Sequence, residues 1–78
     1  MTTKDLIRFI IDNGYPFDLV DFEQEYPNEA FCIRQTKFNN WEVYYSERGQ
    51  KSGVVTFDKE AEACKYLREK IKTSYNTV

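Results

Sequence analysis

The chain has 78 residues, with 11 basic side chains, 13 acidic side chains, a formal charge of −2 and no histidine. A chain this short forms one domain with a small core. Such a domain buries only about 60% of the surface that its unfolded chain exposes. Without histidine it lacks the commonest general base, the usual partner of a nucleophilic serine or cysteine, and the commonest transition-metal ligand. We therefore predict a single domain over residues 1–78 that is not an enzyme and uses no metal or cofactor.

The first predicted element is a helix over about residues 3–13. Thr2 and Asp5 have the spacing of a capping box, in which each side chain accepts a hydrogen bond from the other's backbone. Apolar residues follow at helical spacing, and Asn13-Gly14 supplies a left-handed stop.

Residues 17–29 leave two interpretations open, a loop or a short helical turn. Pro16 forces the residue before it into an extended or turn conformation. Leu19, Phe22 and Tyr26 are at helical spacing, which favours a short helical turn. Pro27 argues against one.

From residue 30 the apolar pattern changes to period two, which predicts three antiparallel strands. Along the second strand, Trp41 and Val43 lie on one face and Tyr44 on the other. The predicted segments are, in order, a strand from residue 30, a two-residue turn at Asn39-Asn40, a strand over 41–46, a loop over 47–53 and a strand over 54–57.

The last predicted element is a helix over about residues 59–72. Asp58 is a suitable N-cap, and Glu60 and Glu62 suit the positive end of the helix dipole. The order α-β-β-β-α predicts an α+β fold, a two-layer domain with two helices on one face of a three-stranded antiparallel meander.

Cys32 and Cys64 allow one disulfide bridge or two buried free thiols, and we favour free thiols because two cysteines do not make a disulfide framework. The longest apolar run near the start, Phe9-Ile10-Ile11, is too short for a signal sequence or a membrane span. These features predict a cytoplasmic protein without a membrane partner.

Acidic residues are concentrated in one part of the chain: residues 9–33 contain six acids and no lysine or arginine. Aromatic and aliphatic residues alternate with the acids, so the segment is too apolar for a disordered acidic tail. Such a surface suits a basic protein partner, although a solvated face that only aids solubility is the alternative. The candidate partner-binding carboxylates are Asp18, Asp21, Glu23, Glu25 and Glu29. We expect the neighbouring aromatic side chains to hold this segment against the core.

Tyr44 is a further candidate partner-binding residue. Because it faces away from Trp41 and Val43, the pattern predicts either an exposed tyrosine at an interface or cross-strand packing on a half-covered sheet.

Two stretches of the chain carry a resemblance to a known family. The first is Trp41-Glu42-Val43-Tyr44-Tyr45-Ser46-Glu47-Arg48-Gly49, and the second runs from Phe57 through Glu60, Glu62, Ala63, Cys64 and Tyr66 to Leu67. Together they resemble small immunity proteins of bacterial polymorphic toxin systems. The resemblance covers about residues 41–67 and implies a protein that binds a cognate secreted or contact-delivered toxin and neutralises it stoichiometrically. If that toxin is a nuclease, carboxylates that mimic phosphates would fit its basic cleft.

Two other functions stay open on the sequence. One is a small regulatory or adaptor domain, of phage origin, that binds another host protein. The other is a double-stranded RNA-binding module, which shares the α-β-β-β-α order. In that module lysines at the start of the last helix grip phosphates, whereas here Asp58, Glu60 and Glu62 stand among the lysines. We therefore expect no nucleic-acid partner, and the sequence leaves the oligomeric state open.

Overall fold

The computed structural model describes residues 1–23 and 27–75. Two helices and four strands make up this part of the chain, together with a single 3₁₀ turn at Phe17–Leu19. In chain order the regular elements are α1 Thr3–Asp12, β1 Val20–Asp21, β2 Ala30–Gln35, β3 Trp41–Glu47, β4 Gln50–Phe57 and α2 Glu60–Tyr75.

The strands form one sheet in the order β1-β2-β3-β4. β1 pairs with β2 in parallel, and the other two pairings are antiparallel. The predicted α+β class is confirmed, with one more strand than expected, because the two-residue β1 adds to the edge of the predicted meander.

Helix α1 begins at the predicted capping box. The Thr2 backbone N–H donates to Asp5 Oδ2 at 2.9 Å, and the Asp5 N–H donates to Thr2 Oγ1 at 3.3 Å. The hydrogen bond from the Thr2 backbone lowers the pKa of the Asp5 carboxyl. At the other end Gly14 takes a φ of +71°, which glycine adopts without steric cost. The helix therefore starts and stops where the sequence predicts.

The β2–β3 connection is longer than the predicted two-residue turn and spans residues 36–40. The Asn39 N–H donates to the Thr36 carbonyl at 3.2 Å, and the Thr36 N–H donates to the Asn40 carbonyl at 2.7 Å. Asn39 takes a φ of +64°, so the first asparagine of the predicted turn does adopt the left-handed conformation.

The β3–β4 connection corrects the predicted loop over residues 47–53. Glu47 pairs with Gln50, so only Arg48-Gly49 forms the turn and β4 begins at Gln50. The loop prediction was wrong because β4 is an outer strand whose side chains are mostly exposed, and its polar composition imitates a loop. A bulge interrupts the register between Val43 and Tyr45, next to Gly53 with its φ of +62°.

The core lies between the helices and one face of the sheet. Its buried side chains are Leu6, Ile10, Leu19, Val20, Ile33, Val43, Ala63, Cys64, Leu67 and Ile71. Helix α2 packs against β2, β3, β4 and α1. Both cysteines are free and fully buried, which confirms the expected free thiols. Neither helix of the described ranges has the length and apolar character that crossing a membrane requires.

Candidate functional site

A concave surface of about 440 Å³ lies beside β1 and the start of β2. Among the described residues it is lined by Asp18, Val20, Asp21, Phe22, Glu23, Pro27, Asn28 and Ala30. Carboxylates and apolar side chains therefore meet in one depression, which we call the acidic cavity.

The local fold holds the apolar lining in place. The 3₁₀ turn closes with a hydrogen bond of 3.2 Å from the Leu19 N–H to the Pro16 carbonyl. Leu19 and Val20 are buried in the core, and Tyr15 and Phe22 pack against it. Tyr15 and Phe22, among the side chains that the structure describes, thus hold the segment to the core, while Asp18 between them is left exposed.

Each carboxylate of the acidic cavity comes from a different local element. Asp18 belongs to the 3₁₀ turn and is exposed; Asp21 belongs to β1, and Glu23 follows it and is exposed. The carboxylate of Asp21 accepts a hydrogen bond of 2.8 Å from the Glu23 N–H, which fixes the turn after β1. Asp18 and Glu23 form no ion pair with another described residue, so their charges are available to a basic group.

The structure brings together three of the five predicted carboxylates. Glu29 is exposed and has a φ of +54°, and it does not line the acidic cavity. Glu25 lies outside the described residues, as does Tyr26, on which the helical spacing of residues 17–29 partly rested.

Of the two interpretations of Tyr44, the exposed aromatic is wrong, since its exposed fraction is 1%, and cross-strand packing is what the structure shows. Tyr44 pairs with Cys32 on the sheet face away from the helices, as the alternation predicts, but that face is not open at its centre. The Lys51 ammonium lies 4.6 Å from the centre of the Tyr44 ring and also pairs with Glu42 at 3.2 Å. The long side chain of Lys51 thus packs over the ring and shields it from water.

Tyr44 also forms hydrogen bonds beneath this cover. Its hydroxyl bonds to the Cys32 thiol and to the Arg34 guanidinium. Burial raises the pKa of Tyr44 far above its ordinary value of 10.0, and burial also raises the pKa of Cys32. Tyr44 is therefore a neutral packing residue and takes no part in the candidate site.

Phe38 is the most exposed large apolar residue of the described chain, with an exposed fraction of 75%, and was not among the residues predicted to bind a partner. Phe38 sits in the β2–β3 connection, which we call the hairpin tip (residues 36–40). The Phe38 N–H donates to Thr36 Oγ1 at 3.1 Å, and the Lys37 ammonium lies 5.4 Å from the centre of the ring. An aromatic residue beside a lysine, directly before the predicted Asn39-Asn40 turn, is the signal that could have found it.

The acidic cavity is equipped to receive a cationic side chain. Its carboxylates can accept hydrogen bonds from an ammonium or guanidinium group, while the apolar lining can pack against the aliphatic stem. Within residues 1–23 and 27–75, no group of three or more cysteine, aspartate or glutamate side chains is arranged to hold a metal ion.

Fold and site together define a small α+β domain with an acidic, apolar-lined cavity at one edge of its sheet. Comparison with protein-family models, with curated proteins and with solved structures found no match for this chain.

Proposed function

We propose that the protein is a stoichiometric inhibitor that binds a basic partner through the acidic cavity. In this proposal it is a cytoplasmic immunity protein of a bacterial polymorphic toxin system, and its partner is a cognate toxin, a nuclease. The observation that carries the proposal is the convergence of Asp18, Asp21 and Glu23 on one apolar-lined depression.

The charge of the acidic cavity supports a basic partner. Asp18 and Glu23 are exposed, and no described cation neutralises them, so they act on an approaching cation at long range. Charge complementarity of this kind mainly accelerates association and rejects partners of the wrong sign. Fast capture is what a cell needs from an inhibitor of a toxin that degrades nucleic acid.

The apolar part of the cavity supports a protein partner over a small cation. Val20, Phe22 and Pro27 lie beside the carboxylates. The aliphatic part of a bound lysine or arginine side chain would therefore face an apolar lining. A nuclease cleft presents such side chains because it must hold phosphates. Carboxylates can occupy the positions of those phosphates and so exclude the substrate.

The decisive test is association with the partner that the protein captures in its native host, identified by pull-down and then purified. We expect the double variant Asp18→Lys/Glu23→Lys to slow association at low salt by at least about tenfold, because steering of this kind changes on-rates by 10- to 1,000-fold. Stopped-flow measurements at low and high salt provide the readout. The matched control is Asp12→Lys/Glu47→Lys, which makes the same charge change at two exposed positions outside the cavity.

Asp21 requires a milder change, because its carboxylate also accepts the Glu23 N–H. Asp21→Asn removes the charge and keeps an oxygen as acceptor. An association rate that is the same in the wild type and the double variant at low salt would refute binding through the cavity. Capture of a partner without inhibition of its activity would favour an adaptor, and a salt-sensitive shift with duplex RNA would favour the RNA-binding module.

A further inference from the structure

The hairpin tip presents an aromatic side chain in a preorganised form. Besides its backbone hydrogen bonds, the Thr36 hydroxyl bonds to the side-chain oxygen of Asn40. Phe38 is thus carried on a closed loop, and binding through it would cost little ordering of the backbone.

The charge of the hairpin tip is opposite to that of the acidic cavity. Residues 30–41 contain Arg34 and Lys37 and no acid. Arg34, Lys37 and Phe38 border one concave surface, in which Glu42 is already paired with Lys51. An exposed ring and an ammonium group therefore project together from the hairpin tip, whose residues 36–40 include Lys37 and no acid.

The hairpin tip does not occupy the acidic cavity of its own molecule. Phe38 is 75% exposed on the connection that follows Gln35, whereas the cavity lies along β1, which pairs with Phe31 and Cys32 of β2. A second copy offers what each surface lacks, namely a cation and a ring for the cavity, and carboxylates with an apolar lining for the tip.

We propose that copies of this chain associate head to tail, with the hairpin tip of one copy seated in the acidic cavity of the next. The Phe38 ring packs on Phe22, the half-buried aromatic residue of the second copy's cavity, and the Lys37 ammonium meets the carboxylates of Asp18 and Glu23 there. The contact is heterologous and small, so we expect a weak association with a Kd on the order of 0.1 to 1 mM.

Sedimentation velocity over a range of protein concentrations tests this proposal. At low salt the wild-type sedimentation coefficient should rise with concentration up to about 1 mM, and high salt should suppress the rise because it screens the ion pairs. Phe38→Ala should weaken the association by at least about tenfold, as loss of a central aromatic anchor does. Phe38 is exposed, so its replacement leaves the fold intact, which the far-ultraviolet circular dichroism spectrum verifies.

A charge swap makes the test specific. Lys37→Glu gives an acidic tip beside an acidic cavity, and Asp18→Lys/Glu23→Lys gives a basic tip beside a basic cavity, so each protein alone should stay monomeric. Mixing the two should restore association, since the acidic tip of one fits the basic cavity of the other. A constant wild-type sedimentation coefficient, an unaffected Phe38→Ala protein, or a mixture that stays monomeric would each overturn the proposal.

Self-association and toxin binding use the same acidic cavity, but only self-association needs the hairpin tip. Phe38→Ala should weaken self-association and leave the rate of toxin binding unchanged at low protein concentration. Self-association without any captured toxin would support the head-to-tail contact and refute the proposed function. Capture and inhibition of a toxin by a protein that stays monomeric would support the proposed function and refute the head-to-tail contact.

Discussion

The Tyr44 hydroxyl donates a hydrogen bond to the thiol of Cys32, the residue directly opposite Tyr44 on the neighbouring strand β2. The thiol in turn lies 3.9 Å from the Ala30 carbonyl oxygen, to which it donates. Because the Arg34 guanidinium donates to the same hydroxyl, a line of polar contacts runs along the sheet face away from the helices. That face is thus held by directed bonds, whereas the helix-side face is held by apolar packing.

Removal of the hydroxyl in Tyr44→Phe should lower the free energy of unfolding by about 1 kcal/mol, the net value of a typical hydrogen bond. The ring and its contact with Lys51 are kept, so packing changes little. Urea unfolding followed by tryptophan fluorescence gives the difference, and the m-value should not change. As a control, Tyr66→Phe should change stability by less than about 0.5 kcal/mol. Equal stability of Tyr44→Phe and the wild type would show that the polar line adds nothing.

Stability should fall at alkaline pH through Cys64. Burial raises the pKa of this thiol from 9.0 to about 11. Between these values the unfolded thiol has lost its proton while the folded one retains it, so the folded state binds more protons and stability falls as pH rises. Below pH 9.0 the contribution is fully present.

The variant Cys64→Ala isolates this effect. Its difference in unfolding free energy from the wild type should narrow by on the order of 1 to 2 kcal/mol between about pH 8 and about pH 11. Denaturant titrations at several pH values measure it, with Cys32 present in both proteins. Parallel stability curves would contradict the prediction.

The β3–β4 turn carries a residue that is not ideal for it. Arg48 has a φ of +52° and Gly49 a φ of +76°, and a two-residue turn with both values positive favours Asn-Gly. Arg48→Asn should therefore stabilise the protein by about 0.5 kcal/mol and raise Tm by about 2 to 4 °C.

The neighbouring glycine gives the opposite test. A Cβ atom at Gly49 would meet nothing within 4 Å, so Gly49→Ala has only a backbone cost. That cost is about 1 to 2 kcal/mol for a side chain in the left-handed region. Thermal unfolding of the two variants should move Tm in opposite directions, and a Tm that rises in both would disprove the turn geometry.

Glu60 joins the two helices at their first turns. Its Oε2 accepts a hydrogen bond of 3.0 Å from the Thr3 N–H, a donor with no partner inside its own helix. Glu60→Ala should cost about 1 kcal/mol, and Glu60→Gln should cost less because it keeps an acceptor oxygen. Chemical unfolding compares the stability of the two variants. An equal loss of unfolding free energy in both would show that the charge of Glu60, and not its hydrogen bond, stabilises the protein.

Elements with local signals could be predicted from the sequence, and α1 is the clearest case. Its capping box and the stop at Gly14 depend only on nearby residues, so no tertiary information was needed. The α2 prediction over 59–72 is close to the observed Glu60–Tyr75 for the same reason. The alternation in β2 and β3 likewise identified both faces of each strand.

The missed features depend on contacts between distant segments. β1 is two residues long and exists only because Val20 and Asp21 pair with Phe31 and Cys32. The sequence left both an exposed and a packed Tyr44 open, because period two says which face a residue has and not what covers that face. For the same reason the sequence named five candidate carboxylates, and only the 3₁₀ turn and β1 decide that Asp18, Asp21 and Glu23 share a cavity.

The bulge beside Gly53 has a consequence for how the protein behaves at high concentration. β4 ends the sheet of the described residues, and an eight-residue outer strand is a template on which other chains can add strands. The extra residue bends and twists this border, so that its free amide and carbonyl groups do not form one straight row. The irregularity therefore protects the protein against fibrous aggregation, which a flat strand of the same length would promote.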